Sequence, residues 1–350
     1  MSKTIGDNSY VARIKNALNS PKYRDHVKAV NEEILSYKLL TPGQVHQNST
    51  MSNFSVQYAN EEYIGTQLMP VKTVGKLSDI FYKMGQNDRR SVPNAEVGAR
   101  SDVKEVNESR STDTYSCQPY ALKAFVDDLT LRNQDAPLNE MLDMVASVND
   151  AIDFNTEKKI ATAMTTSGNY LAANTSAIAA ADRWDSAGGG DPIKNIQDAI
   201  DAIEMGPGST KLVPWCSLGV ARVLQRHPAF LDLFKYNSQG LVPLDQIADW
   251  FGLSGFLVGK ARENTANEGQ TAVKGRIWGS DYFGIARVAT SPSVRTACFG
   301  LTFQMGARET SQWFDPAPGM SGGYYAKVAV AQDYKVVAND TGYLYRTCIG

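Results

Sequence analysis

Between Lys83 and Asp113 the chain has no aromatic residue, no leucine and no isoleucine. Its charges balance: Lys83, Arg89, Arg90, Arg100, Lys104 and Arg110 are matched by Asp88, Glu96, Asp102, Glu105, Glu108 and Asp113. Val92, Val97, Val103 and Val106 add modest strand propensity. Such a stretch cannot build a core of its own, because a lone hairpin is marginal at best. It is a disordered loop, or an extended arm ordered by a partner. The flanking segments "KLSDIFYKM" and "TYSCQPYALKAFV" both read as strands, so the excursion reads as a long hairpin. At about 3.3 Å per residue, roughly fifteen residues a side would reach roughly 50 Å.

The rest of the chain has ample material for a core. It has 350 residues, 43% hydrophobic and 21% charged. At roughly 150 residues per domain this predicts two or three domains. The net charge of −2 argues against a nucleic-acid reader, which needs a basic face to displace counterions. It does not argue against a protein that merely encloses nucleic acid. Cys117, Cys216, Cys298 and Cys348 are far apart and form no CxxC, so they read as reduced, mostly buried thiols of a cytosolic product. The N-terminal "MSKTIGDNSYVARIKNALNS" has no apolar signal core. No apolar run approaches the ~20 residues needed to span a bilayer.

Several elements have readable punctuation. In "SPKYRDHVKAVNEEILSYKLL", Ser20 and Pro21 open a helix with a stripe of Val27, Val30, Ile34 and Tyr37. That stripe packs on the chain's own core or on a neighbouring subunit. A longer helix is expected after Asp135 and Pro137, with Leu138, Met141, Val145, Val148 and Ile152 on one face. Ile160 and Met164 extend it less regularly, and Gly168 stops it. A helix of about 28 residues would span roughly 42 Å, long enough to be a spine. Asp191 caps a helix that buries Ile193, Ile196, Ile200 and Ile203, and Ser217 caps another. Beyond Gly279 strands dominate. Helices and strands mix without regular alternation, which predicts an α+β fold.

Candidate chemistry is thin. "GMSGG" places Ser321 in a G-x-S-x-G pattern, but "WFDPAP" precedes it and the strand "YYAKVAV" follows where a helix is needed. The last histidine, His227, also comes before Ser321 rather than after it. "AGGGDP" lacks the lysine of a phosphate loop, and Asp191 would repel a phosphate. His26, His46 and His227 have no second ligand at metal spacing. Trp184, Trp215, Trp250, Trp278 and Trp313 read as core or interface anchors. No catalytic residue, metal or cofactor is assigned.

The order of segments resembles the major capsid proteins of tailed bacteriophages, with the HK-ninety-seven type of fold. The likeness is carried by "STDTYSCQPYALKAFVDD" followed by "DAPLNEMLDMV", and by "RWDSAGGGDPIKNIQDAI". "LVPWCSLGVARVLQRHPAFLDLFKY", "QIADWFGLSGFLVGKA" and "GRIWGSDYFGIARV" continue it. It implies an N-terminal arm over 1–70 and an extended loop over 71–126. A peripheral domain would cover 127–207, with its spine helix at about 136–167. An axial domain would cover 208–325, and C-terminal strands over 326–350 would return to the peripheral domain. It further implies pentamers and hexamers closed into an icosahedral or prolate head around double-stranded DNA. Scaffolding protein, portal and a decoration protein are the implied assembly partners, and the virion is the implied location. The arm would lie across a neighbouring subunit, making Lys83, Arg89, Arg90, Glu96, Arg100, Asp102, Lys104, Glu105 and Arg110 candidate inter-subunit contacts. An encapsulin-type shell shares the fold and is the alternative. A serine hydrolase using Ser321 is the alternative from another class.

In some members of that family a loop lysine cross-links covalently to a neighbour. Here arginines hold the middle of the arm, and Lys83 and Lys104 lie towards its sides. Boiled particles are expected to run as a single monomer band on a denaturing gel. A ladder of covalent oligomers would refute that reading.

Overall fold

A computed structural model describes residues 63–83, 96–97, 111–134, 139–186, 190–203, 210–235, 240–264, 273–291 and 297–350. The architecture is α+β and rests on two larger sheets. The first comprises β1 (Val71–Val74), β4 (Gln118–Asp127), β11 (Gly300–Asp315) and β12 (Gly323–Val336), in the order β1-β11-β12-β4. β1 lies parallel to β11, and the other neighbours are antiparallel. The second comprises β5 (Thr175–Ala177), β6 (Thr210–Ser217), β7 (Leu257–Gly259), β10 (Phe283–Ala289) and β13 (Gly342–Arg346), in the order β5-β13-β10-β6-β7. Two small ribbons complete the strands. One pairs β2 (Ser78–Lys83) with β3 (Ser111–Ser116), the other β8 (Arg262–Asn264) with β9 (Lys274–Arg276).

A short helix α1 (Gly65–Leu68) precedes the first sheet, and α2 (Asp128–Arg132) follows β4. The long helix α3 (Glu140–Thr165) has 26 residues, about 39 Å at 1.5 Å per residue. Asn139 opens it, its side chain accepting from the Leu142 amide at 3.3 Å. Asp135, Pro137 and Leu138, expected to begin this helix, lie outside the described residues. At its end the carbonyls are satisfied by side chains. Thr166 Oγ1 donates to Thr162 O at 2.6 Å, Asn169 Nδ2 to Ala163 O at 2.8 Å and Tyr170 Oη to Met164 O at 2.7 Å.

Helix α3 packs on both sheets. Met141, Met144 and Val145 meet Ala326 of β12, and Val148 and Ile152 meet Val328 and Val330. The period-two burial of β12 supplies that face, while Lys327 points away. Past Ile152 the partners change. Ile160, Ala161 and Met164 join a cluster with Leu68, Met69, Trp215, Trp278 and Phe299, between the two sheets. This change of partner explains why the apolar stripe loses its regular spacing there.

Helices α4 (Pro192–Ile203), α5 (Leu218–Leu224), α6 (Pro228–Phe234) and α7 (Leu244–Trp250) cover the second sheet. Asp191 caps α4 through Lys194 N at 3.1 Å, and Ile196, Ala199 and Ile203 are its buried residues on that core. Ser217 stands at the start of α5 but its side chain does not cap it. Its hydroxyl instead donates to Trp278 O at 2.9 Å.

Three sequence-based divisions are corrected. The segment 71–126 is not one hairpin: β1 and β4 belong to the first sheet, and only β2 and β3 pair with each other. The break falls at Cys117, whose amide donates to Leu77 O at 2.7 Å and whose buried thiol faces Phe303 O. β11 lies in the sheet under α3, not with an axial unit ending at residue 325. β13 lies in the second sheet, because a turn closed by Thr341 Oγ1 on Ala338 O (2.8 Å) redirects the chain after β12. Short apolar strands carry no local mark of which sheet they will join.

Candidate assembly interface and its anchors

Residues 84–110 connect the two strands of the β2–β3 ribbon, which is paired from Ser78–Ser116 to Lys83–Ser111. Its root is firmly packed. Phe81 and Tyr115 sit 5.2 and 4.7 Å from Phe303, ring centre to ring centre, and all three are buried with Cys117 and Leu301. The Ser116 amide donates to Asp333 Oδ2 at 2.8 Å. The opposite side of the ribbon is open, with Ile80 63% exposed and Leu77 and Tyr82 beside it. At the outer end Lys83 Nζ pairs with Asp113 Oδ2 at 2.7 Å. That hydrogen bond holds the Asp113 carboxyl below the usual carboxylate range. Of the nine proposed contact residues, Lys83 and Glu96 are described, and Glu96 is exposed. Arg89, Arg90, Arg100, Asp102, Lys104, Glu105 and Arg110 lie outside the described residues.

The face of the first sheet away from α3 carries a row that sequence reading missed. Phe125, Tyr325 and Trp313 cross β4, β12 and β11, with neighbouring ring centres 4.9 and 5.4 Å apart. Lys123 Nζ lies 4.6 Å from the Tyr325 ring centre. The alternation of β4 and β12 was the available signal, but strand pairing is needed to align the three rings. The β11–β12 turn exposes Met320 by 90%, and Phe314 near the end of β11 is half-exposed.

Inside, a polar seam ties α3 to its surroundings. A bulge in β11 between Met305 and Glu309, with Gly306 at φ +69, re-aims Arg308. Arg308 pairs through both guanidinium nitrogens with Asp153 and donates to Asn149 Oδ1 at 3.1 Å. Thr156, Gln332, Tyr334 and Gln304 form a further hydrogen-bonded group. Burial pushes the Tyr334 hydroxyl up to about 12. Glu157 is 1% exposed. Its Oε1 accepts from Trp278 Nε1 at 2.6 Å and Ile64 N at 3.1 Å, and its Oε2 from Gly65 N at 2.7 Å.

The motifs weighed for chemistry fall into structural places. Ser321 lies in the turn between β11 and β12, so a strand follows it, unlike a nucleophile elbow. His227 caps α6, its Nδ1 accepting from Ala229 N at 3.3 Å, and burial lowers its proton affinity. All four cysteines are buried free thiols. Among the described residues no group of histidine, cysteine or carboxylate side chains could hold a metal ion. Among them, too, no helix is long and apolar enough to cross a membrane.

No established family profile matches the chain. The major capsid protein of Pseudomonas phage JBD67 is 26% identical over 301 residues, covering 85% of this chain and 96% of that protein. A phage-related protein from Bordetella bronchiseptica RB50 has a similar structure. The TM-score is 0.69 at 22% identity, over 86% of this chain and 97% of that one. The capsid of cyanophage P-SCSP1u aligns with a TM-score of 0.54 at 9% identity, over 80% of this chain and 86% of that one. The chain is a relative of phage major capsid proteins and shares the fold of phage capsid structures.

Burial outweighs the three hydrogen bonds at Glu157 and raises its carboxyl above the usual range. A raised folded-state value means that folding disfavours the ionised form. The favourable contribution is full below the unfolded value of about 4.3 and is lost as pH rises through the folded value. Glu157→Gln removes this slope. Urea unfolding from about pH 4 to about pH 7 should therefore show the wild type losing stability relative to the variant as pH rises. Parallel pH profiles would contradict the assignment.

Proposed function

We propose that the chain is the main structural subunit of a phage head. Copies of it close as pentamers and hexamers into a shell around double-stranded DNA. The observation that carries this reading is the likeness to a phage major capsid protein over 85% of this chain and 96% of that one. A physical argument supports it. The segment 84–110 is charged, balanced in sign and poor in apolar residues, yet it springs from a ribbon whose root is packed on Phe303. Ordering such an arm costs about 1–2 kcal/mol per residue of backbone entropy. A neighbouring copy can offset that by strand pairing and charge matching, and many such contacts in a closed shell are collectively hard to undo.

In this reading the first sheet with α3 is the peripheral unit. The second sheet, with α4 to α7 and β13, is the axial unit. Lys83, Arg89, Arg90, Glu96, Arg100, Asp102, Lys104, Glu105 and Arg110 contact the next subunit. The near-neutral net charge suits a wall that contains DNA without gripping it. Scaffolding protein and portal act during assembly in the host cytoplasm, and a decoration protein binds the finished head. The role is structural, with no catalysis and no cofactor.

Deleting residues 85–110 should leave a folded, soluble subunit that no longer forms closed shells. Circular dichroism and sizing chromatography report the fold, and negative-stain microscopy reports the shells. Normal shells from the deletion would overturn this account of the arm.

A further inference from the structure

We propose that Glu157 is a latch for the first turn of the described chain, Tyr63–Leu68, and that this turn can leave α3 while both sheets stay folded. The proposal concerns the subunit alone and stands whether or not the chain builds a shell.

The attachment has two separable parts. Downstream, the chain is held by the first sheet. Thr302 Oγ1 donates to Met69 O at 3.0 Å, Thr302 N donates to Pro70 O at 3.1 Å, and β1 pairs with β11. Upstream, the hold on α3 is both apolar and polar, with Ile64 and Leu68 buried in one cluster with Ile160, Ala161 and Met164. Tyr63 Oη donates to Asp150 Oδ1 at 3.2 Å, and the amides of Ile64 and Gly65 both donate to the one Glu157 carboxylate. These are first-turn amides, with no partner within their own four-residue helix. The fit is close: a Cβ on Gly65 would stand 2.5 Å from Glu157 Oε2 and 3.2 Å from Ile160 Cβ. Removing the carboxylate therefore strips two buried donors at once and leaves the downstream attachments intact. Trp278 approaches the same carboxylate from the turn after β9, so it can be tested separately.

Hydrogen exchange on the full chain, read by mass spectrometry, tests this. In Glu157→Gln the amides of residues 64–68 should exchange at least about tenfold faster, because the amide side chain cannot accept from all three donors. Those of 141–152 in α3 and of β12 should change by less than about twofold. Gly65→Ala, which crowds the carboxylate from the other side, should give the same selective rise. Trp278→Phe removes one donor but leaves both backbone amides bonded, and should leave exchange at 64–68 within about twofold of wild type. Unchanged exchange at 64–68 in both Glu157→Gln and Gly65→Ala would overturn the latch. So would an equal rise across the whole core, or a Glu157→Gln chain that does not fold. Either would make Glu157 a support of the entire fold.

Discussion

Helix α3 has to lie on two sheets at once, and a buried carboxylate stands where they meet. Its first half is held by apolar contact with β12, its last turns by a second cluster that includes Trp215 and Trp278. Between them, Asn149, Asp153, Thr156 and Glu157 hold the helix by hydrogen bonds and one ion pair. Such a seam is directional where apolar packing is not. Leaving one of its buried donors without an acceptor costs about 1–3 kcal/mol, so the seam fixes the register of helix on sheet. Glu157 also has three N–H donors from two distant parts of the chain, and it joins α3 to the turn at Ile64–Gly65 and to the turn after β9.

The same division between a packed face and an open face recurs at the β2–β3 ribbon. The β2–β3 ribbon buries Phe81 and Tyr115 against Phe303 but leaves Leu77, Ile80 and Tyr82 exposed. Phe125, Tyr325 and Trp313 sit on the face of the first sheet that α3 does not cover. Packing among the described residues leaves these surfaces partly exposed. A subunit built to be completed by its neighbours has this character, and it accords with the kinship to phage capsid proteins.

What could be read from sequence was what local chemistry marks. Met141, Val145, Val148 and Ile152 announce α3 because they follow its period. Asp191 announces the start of α4. What could not be read was long-range. Cys117 looks like the middle of one strand, and only the competing carbonyl of Leu77 and the Phe303 site divide it into two. Glu157 sits in "NTEKK" among ordinary helix-surface residues, and its partner Trp278 is 121 positions away. Arg308 gains its role from a bulge whose register depends on β12. In each case the deciding partner is supplied by tertiary pairing, which composition and periodicity do not encode.

The central claim is that copies of this chain close into a shell. Electron cryomicroscopy of the full chain, expressed alone and together with phage scaffolding and portal proteins, tests it most directly. The account predicts closed shells in at least one of the two preparations. Their walls should be made of this fold, with the arm of each subunit lying on a neighbour. Monomers, open rings or tubes in both preparations would contradict it.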